Sequence, residues 1–123
     1  REIHEKLSKA IVMDLIAEID GAERSAEHYS ALEATPENYA KLKKLVLAHA
    51  EDLRDLLENN DINSYRTEAG VAFNHKRHSV LKTVATDDPS LAKTIQASLR
   101  WGFEKDGRVI RPEKVAVYVL ATE

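Results

Sequence analysis

The chain has 123 residues, of which 43% are hydrophobic and 32% charged, with a formal net charge of −3. That length suits one modest domain or two small subdomains, because a chain so short buries only about two-thirds of its unfolded surface. The absence of cysteine excludes disulfides and thiolate metal sites and fits a reducing compartment, while the longest apolar runs, such as Ile11-Val12-Met13, fall far short of the ~20 residues that span a bilayer.

The first residue is Arg1, not methionine, and the helical pattern has already begun there, so a fragment of a longer protein is expected, with any targeting segment lost with the missing part. From Ile3 to about Tyr29 apolar residues recur as Leu7, Ile11, Leu15, Ile19, Ala22, Ala26 and Tyr29, with Val12 and Ile16 widening the stripe; these three- and four-residue steps are helical. Thr35-Pro36-Glu37 then supplies a capping hydroxyl, a proline at the first helical position and an acidic first turn. The second helix carries Tyr39, Leu42, Val46, His49, Leu53 and Leu56 at the heptad spacing of a bundle seam. Two helices cannot close a core alone, so pairing with a second copy into a four-helix bundle is expected, with Leu7, Ile11, Leu15, Ile19, Leu42, Val46, His49, Leu53 and Leu56 as dimerisation residues.

Asn59-Asn60-Asp61 ends this helix, since asparagine tolerates the left-handed conformation a helix terminus often needs. Beyond it the period changes to two. Val71 to Phe73, His78 to Thr86, and the segments Ile95-Ala97-Leu99-Trp101 and Val115-Val117-Val119 read as strands, with turns at Asp87-Asp88-Pro89-Ser90 and Asp106-Gly107. Asp106-Gly107 is read as the hairpin between the two alternating C-terminal segments, and Pro112 as the end of one strand. The expected fold is therefore α+β: residues 1–61 as a helical dimerisation module and residues 62–123 as a small all-β domain, with a linker near Ile62 to Gly70. The charge is divided the same way, with 8 Lys+Arg against 14 Asp+Glu through residue 61 and 10 against 7 thereafter. A basic second half steers acidic partners.

Enzymatic motifs are missing. The four glycines, at positions 21, 70, 102 and 107, form neither a dinucleotide fingerprint nor a phosphate-cradling loop, and no nucleophile elbow is present. Glu51, Asp52 and Asp55 read as a solvated helix face. His75 and His78 are the closest histidine pair but have no carboxylate at zinc-site spacing, and His49 reads as a satisfied seam histidine, so neither a metal nor another cofactor is expected. Lys76-Arg77, Arg100-Trp101, Lys105, Arg108 and Arg111 mix cations with aromatic rings on a small sheet, which makes single-stranded nucleic-acid binding the rival reading.

A family resemblance is carried by three anchors in order. Trp101-Gly102-Phe103, Gly107-Arg108-Val109-Ile110-Arg111-Pro112 and Val115-Ala116-Val117 resemble the terminal β-domain of the GrpE family, nucleotide exchange factors of DnaK-type chaperones. Phe73-Asn74-His75-Lys76-Arg77-His78 resembles that family's Phe-Asp-Pro-x-x-His segment, and Asp14 to Arg24 resembles its helix signature. Asn74, His75, Ser79, Ala17 and Glu113 depart from the residues usual there, and the long N-terminal helix is essentially absent, so the chain resembles a divergent, N-terminally truncated member. The resemblance implies a homodimeric cytoplasmic co-chaperone, or one of an organelle matrix, that opens the nucleotide cleft of a DnaK-type ATPase domain. It also implies a contact surface formed first by Arg108, Leu99 and Val117, with Arg111, Trp101 and Phe103 in second rank.

Overall fold

A computed structural model describes residues 8 to 121. The chain divides into two compact units, one ending at Asn60 and the other beginning at Asp61.

The first unit is a helical hairpin. Helix α1 spans Lys9–Ser30 and opens at Ser8, whose Oγ accepts the Ile11 amide at 3.1 Å. Helix α2 spans Pro36–Glu58; Thr35 Oγ1 accepts the Asn38 amide at 3.0 Å, Pro36 occupies the first turn and Glu37 complements the helix dipole, as the sequence predicts. The left-handed residue at the end of α2 is Asp61, with φ of 67°, while Asn59 stays right-handed. Neither helix contains a fully buried residue. The set read from sequence as one dimer seam splits into two faces. Ile11, Leu15, Leu42, His49 and Leu56 are half-buried, whereas Ile19, Val46 and Leu53 are 55%, 58% and 40% exposed. Leu7 and Ile3 lie outside the described residues. A single stripe on each helix meets its neighbour in the hairpin, and the second stripe, extended by Val12, Ile16 and Tyr39, stays uncovered within this unit.

The second unit contains two three-stranded sheets. One has the order β2-β6-β3, built from β2 (His78–Thr86), β3 (Ile95–Arg100) and β6 (Glu113–Leu120); the other has the order β1-β4-β5, built from β1 (Asn63–Tyr65), β4 (Gly102–Lys105) and β5 (Arg108–Arg111). Strand β6 pairs parallel to β2 and antiparallel to β3, so its residues Val115, Ala116 and Val117 are covered on both flanks and, with Ile95, form the small core. Burial of Ile95 or Val115 alone contributes about 1.5 to 3 kcal/mol.

Three sequence expectations change here. Asp106-Gly107 does not join the two long segments. It closes β4 onto β5, with φ of 53° and 77° at its two central residues, the mirror-image turn a two-residue hairpin requires. Strands β3 and β6 do pair, in the other sheet, on the far side of Trp101 and Pro112, where the chain passes between sheets. Ile62 to Gly70 is no linker: Asn63, Ser64 and Tyr65 pair with Glu104, Phe103 and Gly102, and the Gly70 amide donates to the Ile95 carbonyl at 2.9 Å. Its polar composition gives no alternating signal because hydrogen bonds and one ring hold it in place. Val71 to Phe73 forms only an isolated bridge, Ala72 to Thr94, since Gly70 with φ of 94° and the turn at Asn74 leave no length for a ladder.

Tyr65 fixes the junction between the sheets. Its ring lies so close to Gly102 that a Cβ there would sit 2.2 Å from Tyr65 Cζ, and the Arg77 guanidinium covers the ring at 4.0 Å. The Tyr65 hydroxyl donates to the Arg77 carbonyl at 2.7 Å. Gly102→Ala is therefore expected to destabilise this unit by about 1 to 3 kcal/mol through overpacking. Urea unfolding followed by Trp101 fluorescence measures the loss, and combination with Tyr65→Ala should show strong non-additivity; additive losses would disprove the contact.

Candidate partner-binding site

The β4–β5 hairpin has a fastened base and an exposed tip. At the base Arg77 Nη1 bonds Glu104 Oε1 at 3.0 Å, which holds the Arg77 guanidinium above its usual basicity. Arg111 Nη2 donates to the Trp101 carbonyl at 2.5 Å, and its guanidinium lies 5.2 Å from the Phe103 ring centroid, consistent with the cross-strand pairing of Phe103 with Arg111. Arg66 covers the Trp101 ring at 4.5 Å.

At the tip Lys105 stands directly opposite Arg108 in the ladder. Like charges so placed weaken a hairpin, and Arg108 is exposed, its side chain making no hydrogen bond or ion pair among the described residues. Beside it the register slips by one residue. Phe103 faces Arg111 while Glu104 faces Val109, which leaves Ile110 as the extra residue of a β-bulge, 57% exposed. Bulges re-aim side chains. Lys105, Asp106, Arg108, Val109 and Ile110 line a surface notch of about 430 Å³.

The sequence-derived candidates separate accordingly. Arg108 is exposed at the tip, and Leu99 is half-buried on β3, where the pairing with β6 slips between Ser98 and Arg100. Val117 is 6% exposed and packs with Ile95 and Val115, so its side chain builds the core and is not offered to a partner. The alternation Val115-Val117-Val119 could not tell which face of β6 is covered. Arg111 is exposed but bonded within its own hairpin, and Trp101 and Phe103 are half-buried rings already covered by guanidinium groups. That arrangement does not support the nucleic-acid reading, which needs open ring faces for bases to stack on. Ile110 escaped the sequence reading because Arg108-Val109-Ile110-Arg111 shows no sign of a bulge.

The base of the hairpin continues into a buried polar network. Glu113, next to Pro112 and wholly buried, accepts the Thr67 hydroxyl at 2.7 Å and the Thr67 amide at 3.0 Å. His78, 5% exposed, accepts the Asn74 amide on Nδ1 at 2.9 Å, so its proton lies on Nε2 and is donated to Thr67 Oγ1 at 2.9 Å. His78 Nδ1 is thus committed to a backbone amide and its ring is buried, which leaves it no open face for a metal shared with His75. Burial lowers the proton affinity of His78, and Glu113 opposes this while Arg77 reinforces it.

The folded His78 is lowered from an ordinary value of 6.5, so its contribution is complete above that pH and is lost as acidity favours the protonated unfolded chain. The unfolding midpoint of the β unit should fall between about pH 7 and pH 5, by at most ~1.4 kcal/mol per pH unit from this group. His78→Gln should flatten that dependence; an unchanged pH slope would exclude His78 as its source.

Comparison with known proteins agrees with the sequence resemblance. The GrpE family profile matches residues 1–119. Proteins named Protein GrpE from two strains of Halobacterium salinarum are each 28% identical over 116 residues, covering 94% of this chain and 51% of theirs. The chain therefore spans about half the length of these curated relatives. With the profile covering nearly the whole sequence, this chain belongs to the GrpE family.

Proposed function

We propose that the chain is the working part of a co-chaperone that promotes ADP release from a DnaK-type chaperone. The exposed hairpin tip engages the ATPase domain beside its nucleotide cleft, and the helical unit pairs with a second copy. Family membership supports the partner class, and the observation that carries the site is the unpaired, exposed Arg108 held opposite Lys105 on a fastened hairpin. Charge concentrated at a cost to the hairpin is suited to an acidic surface outside it. Ile110 and Leu99 add apolar contact beside that charge. A chaperone partner also implies residence in the cytoplasm or an organelle matrix; no helix among the described residues is long and apolar enough to cross a membrane.

The energetics follow from linkage. A protein that binds the open cleft preferentially weakens nucleotide by the same factor that nucleotide weakens it. A thousandfold loss of ADP affinity needs about 4 kcal/mol of differential binding, within reach of a charged hydrogen bond and a few buried apolar contacts. The helical unit supports dimerisation because Ile16, Ile19, Tyr39, Val46 and Leu53 remain exposed along its two helices. A second hairpin covering them would complete a four-helix core.

Two experiments test this reading. In stopped-flow release of labelled ADP from a DnaK-type ATPase domain, Arg108→Ala should cost about 1 to 3 kcal/mol of binding and slow release accordingly, while urea stability does not fall because a like-charge pair is removed; release at the unmodified rate would remove Arg108 from the site. By sedimentation the chain should run as a dimer at tens of micromolar, and Val46→Glu should shift it to monomer. A wild-type chain that is monomeric there would reject the bundle.

A further inference from the structure

Between the two helices lies a polar layer that the proposed function does not use. His49 Nδ1 lies 2.6 Å from Glu18 Oε2, and His49 Nε2 lies 3.5 Å from Ser25 Oγ. Asp52 follows His49 by one helical turn, so both residues lie on the same side of α2. Together Glu18, His49 and Asp52 offer three ligand atoms, all within 4.8 Å of one another. Glu18 and His49 are half-buried and Asp52 is exposed, so the set is partly shielded but open to solvent on one side.

The surroundings favour a cation. Glu18 and Asp52 line a groove of about 250 Å³ together with Asp14 and Asp55, and among the described residues no lysine or arginine lines it. Four carboxylates lining one groove from two helices give it a negative potential that attracts a cation. An imidazole with an aspartate one turn later on one helix and a glutamate on the facing helix is also how helical bundles build metal sites from inward-projecting side chains.

We propose that Glu18, His49 and Asp52 form a divalent-metal site that joins α1 to α2, with zinc as the ion the donors suit best. One ring nitrogen and two carboxylates match a borderline ion that accepts three protein ligands and keeps a position for water. Magnesium and calcium require oxygen ligands throughout. Metal at Nδ1 displaces the proton shared with Glu18, and Nε2–H then faces Ser25 Oγ, the outer partner that a ligating histidine ordinarily has. The hydrogen-bonded Glu18–His49 pair opens to the roughly 3.3 Å that two tetrahedral zinc ligands keep, and Asp52 swings inward to complete the set. As an exposed side chain it can do so without disturbing the hairpin. The bound ion would hold the helices together across a seam that contains no fully buried residue.

Isothermal titration of the metal-stripped full chain, without a histidine tag, with zinc chloride tests the site. One zinc per chain is expected, together with a higher melting temperature of the helical circular-dichroism signal. Asp52→Asn keeps the fold because Asp52 is exposed, and should weaken binding at least ~10-fold; His49→Gln and Glu18→Gln should do the same. Circular dichroism of each variant separates loss of a ligand from loss of the hairpin. Absence of zinc heat in the unmodified chain would overturn the site, as would equal binding by Asp52→Asn and His49→Gln, which would assign the zinc to other histidines.

Discussion

The β unit depends on one buried carboxylate. Glu113 begins β6 directly after Pro112 and has no solvent exposure. A carboxylate so placed is tolerated only when hydrogen bonds replace its lost water, and leaving one without partners costs about 3 to 5 kcal/mol. Thr67 meets that demand through its hydroxyl and its amide, and His78 locks the Thr67 hydroxyl in the donating orientation. Three distant segments, at 67, 74 to 78 and 113, are therefore fixed to one point. Among the described residues the core holds Ile95, Val115, Ala116 and Val117 as its buried hydrophobic residues, too few to specify this topology by apolar packing alone.

That constraint explains the shape of the candidate site. Because the first residue of β6 is pinned, the chain leaving β5 through Pro112 is fixed as well, and Arg77, held between Tyr65 and Glu104, fastens the opposite strand. Flexibility is thereby removed from the base of the hairpin, and the tip is left as the part that presents Arg108 and an exposed bulge residue. A side chain already presented by a rigid turn loses less conformational entropy on binding than one on a mobile loop. The same division appears in the arginines: Arg66, Arg77 and Arg111 lie over rings within their own unit, and Arg108 does not.

The helical unit is built on the opposite principle. Among the described residues it has no fully buried one, and its seam carries the hydrogen-bonded pair of Glu18 and His49 where an apolar layer would be expected. A polar layer of this kind specifies register more than stability, since shifting α1 against α2 would leave Glu18 and His49 without each other.

The sequence alone determined the elements whose causes are local. Apolar periodicity placed α1, Thr35-Pro36-Glu37 placed the start of α2, Asp106-Gly107 marked a two-residue hairpin, and Pro112 marked a strand end; the motifs spread along the chain also revealed the family. Tertiary structure decided what depends on distant neighbours. Only it shows that β2 runs parallel to β6, that Asn63 to Tyr65 form a strand against Gly102, that Val117 faces inward while Ile110 faces out, and that Glu18 meets His49. The reason is physical: a turn or a cap is satisfied by residues three or four positions apart, whereas burial and strand order are set by partners that the chain brings together only on folding.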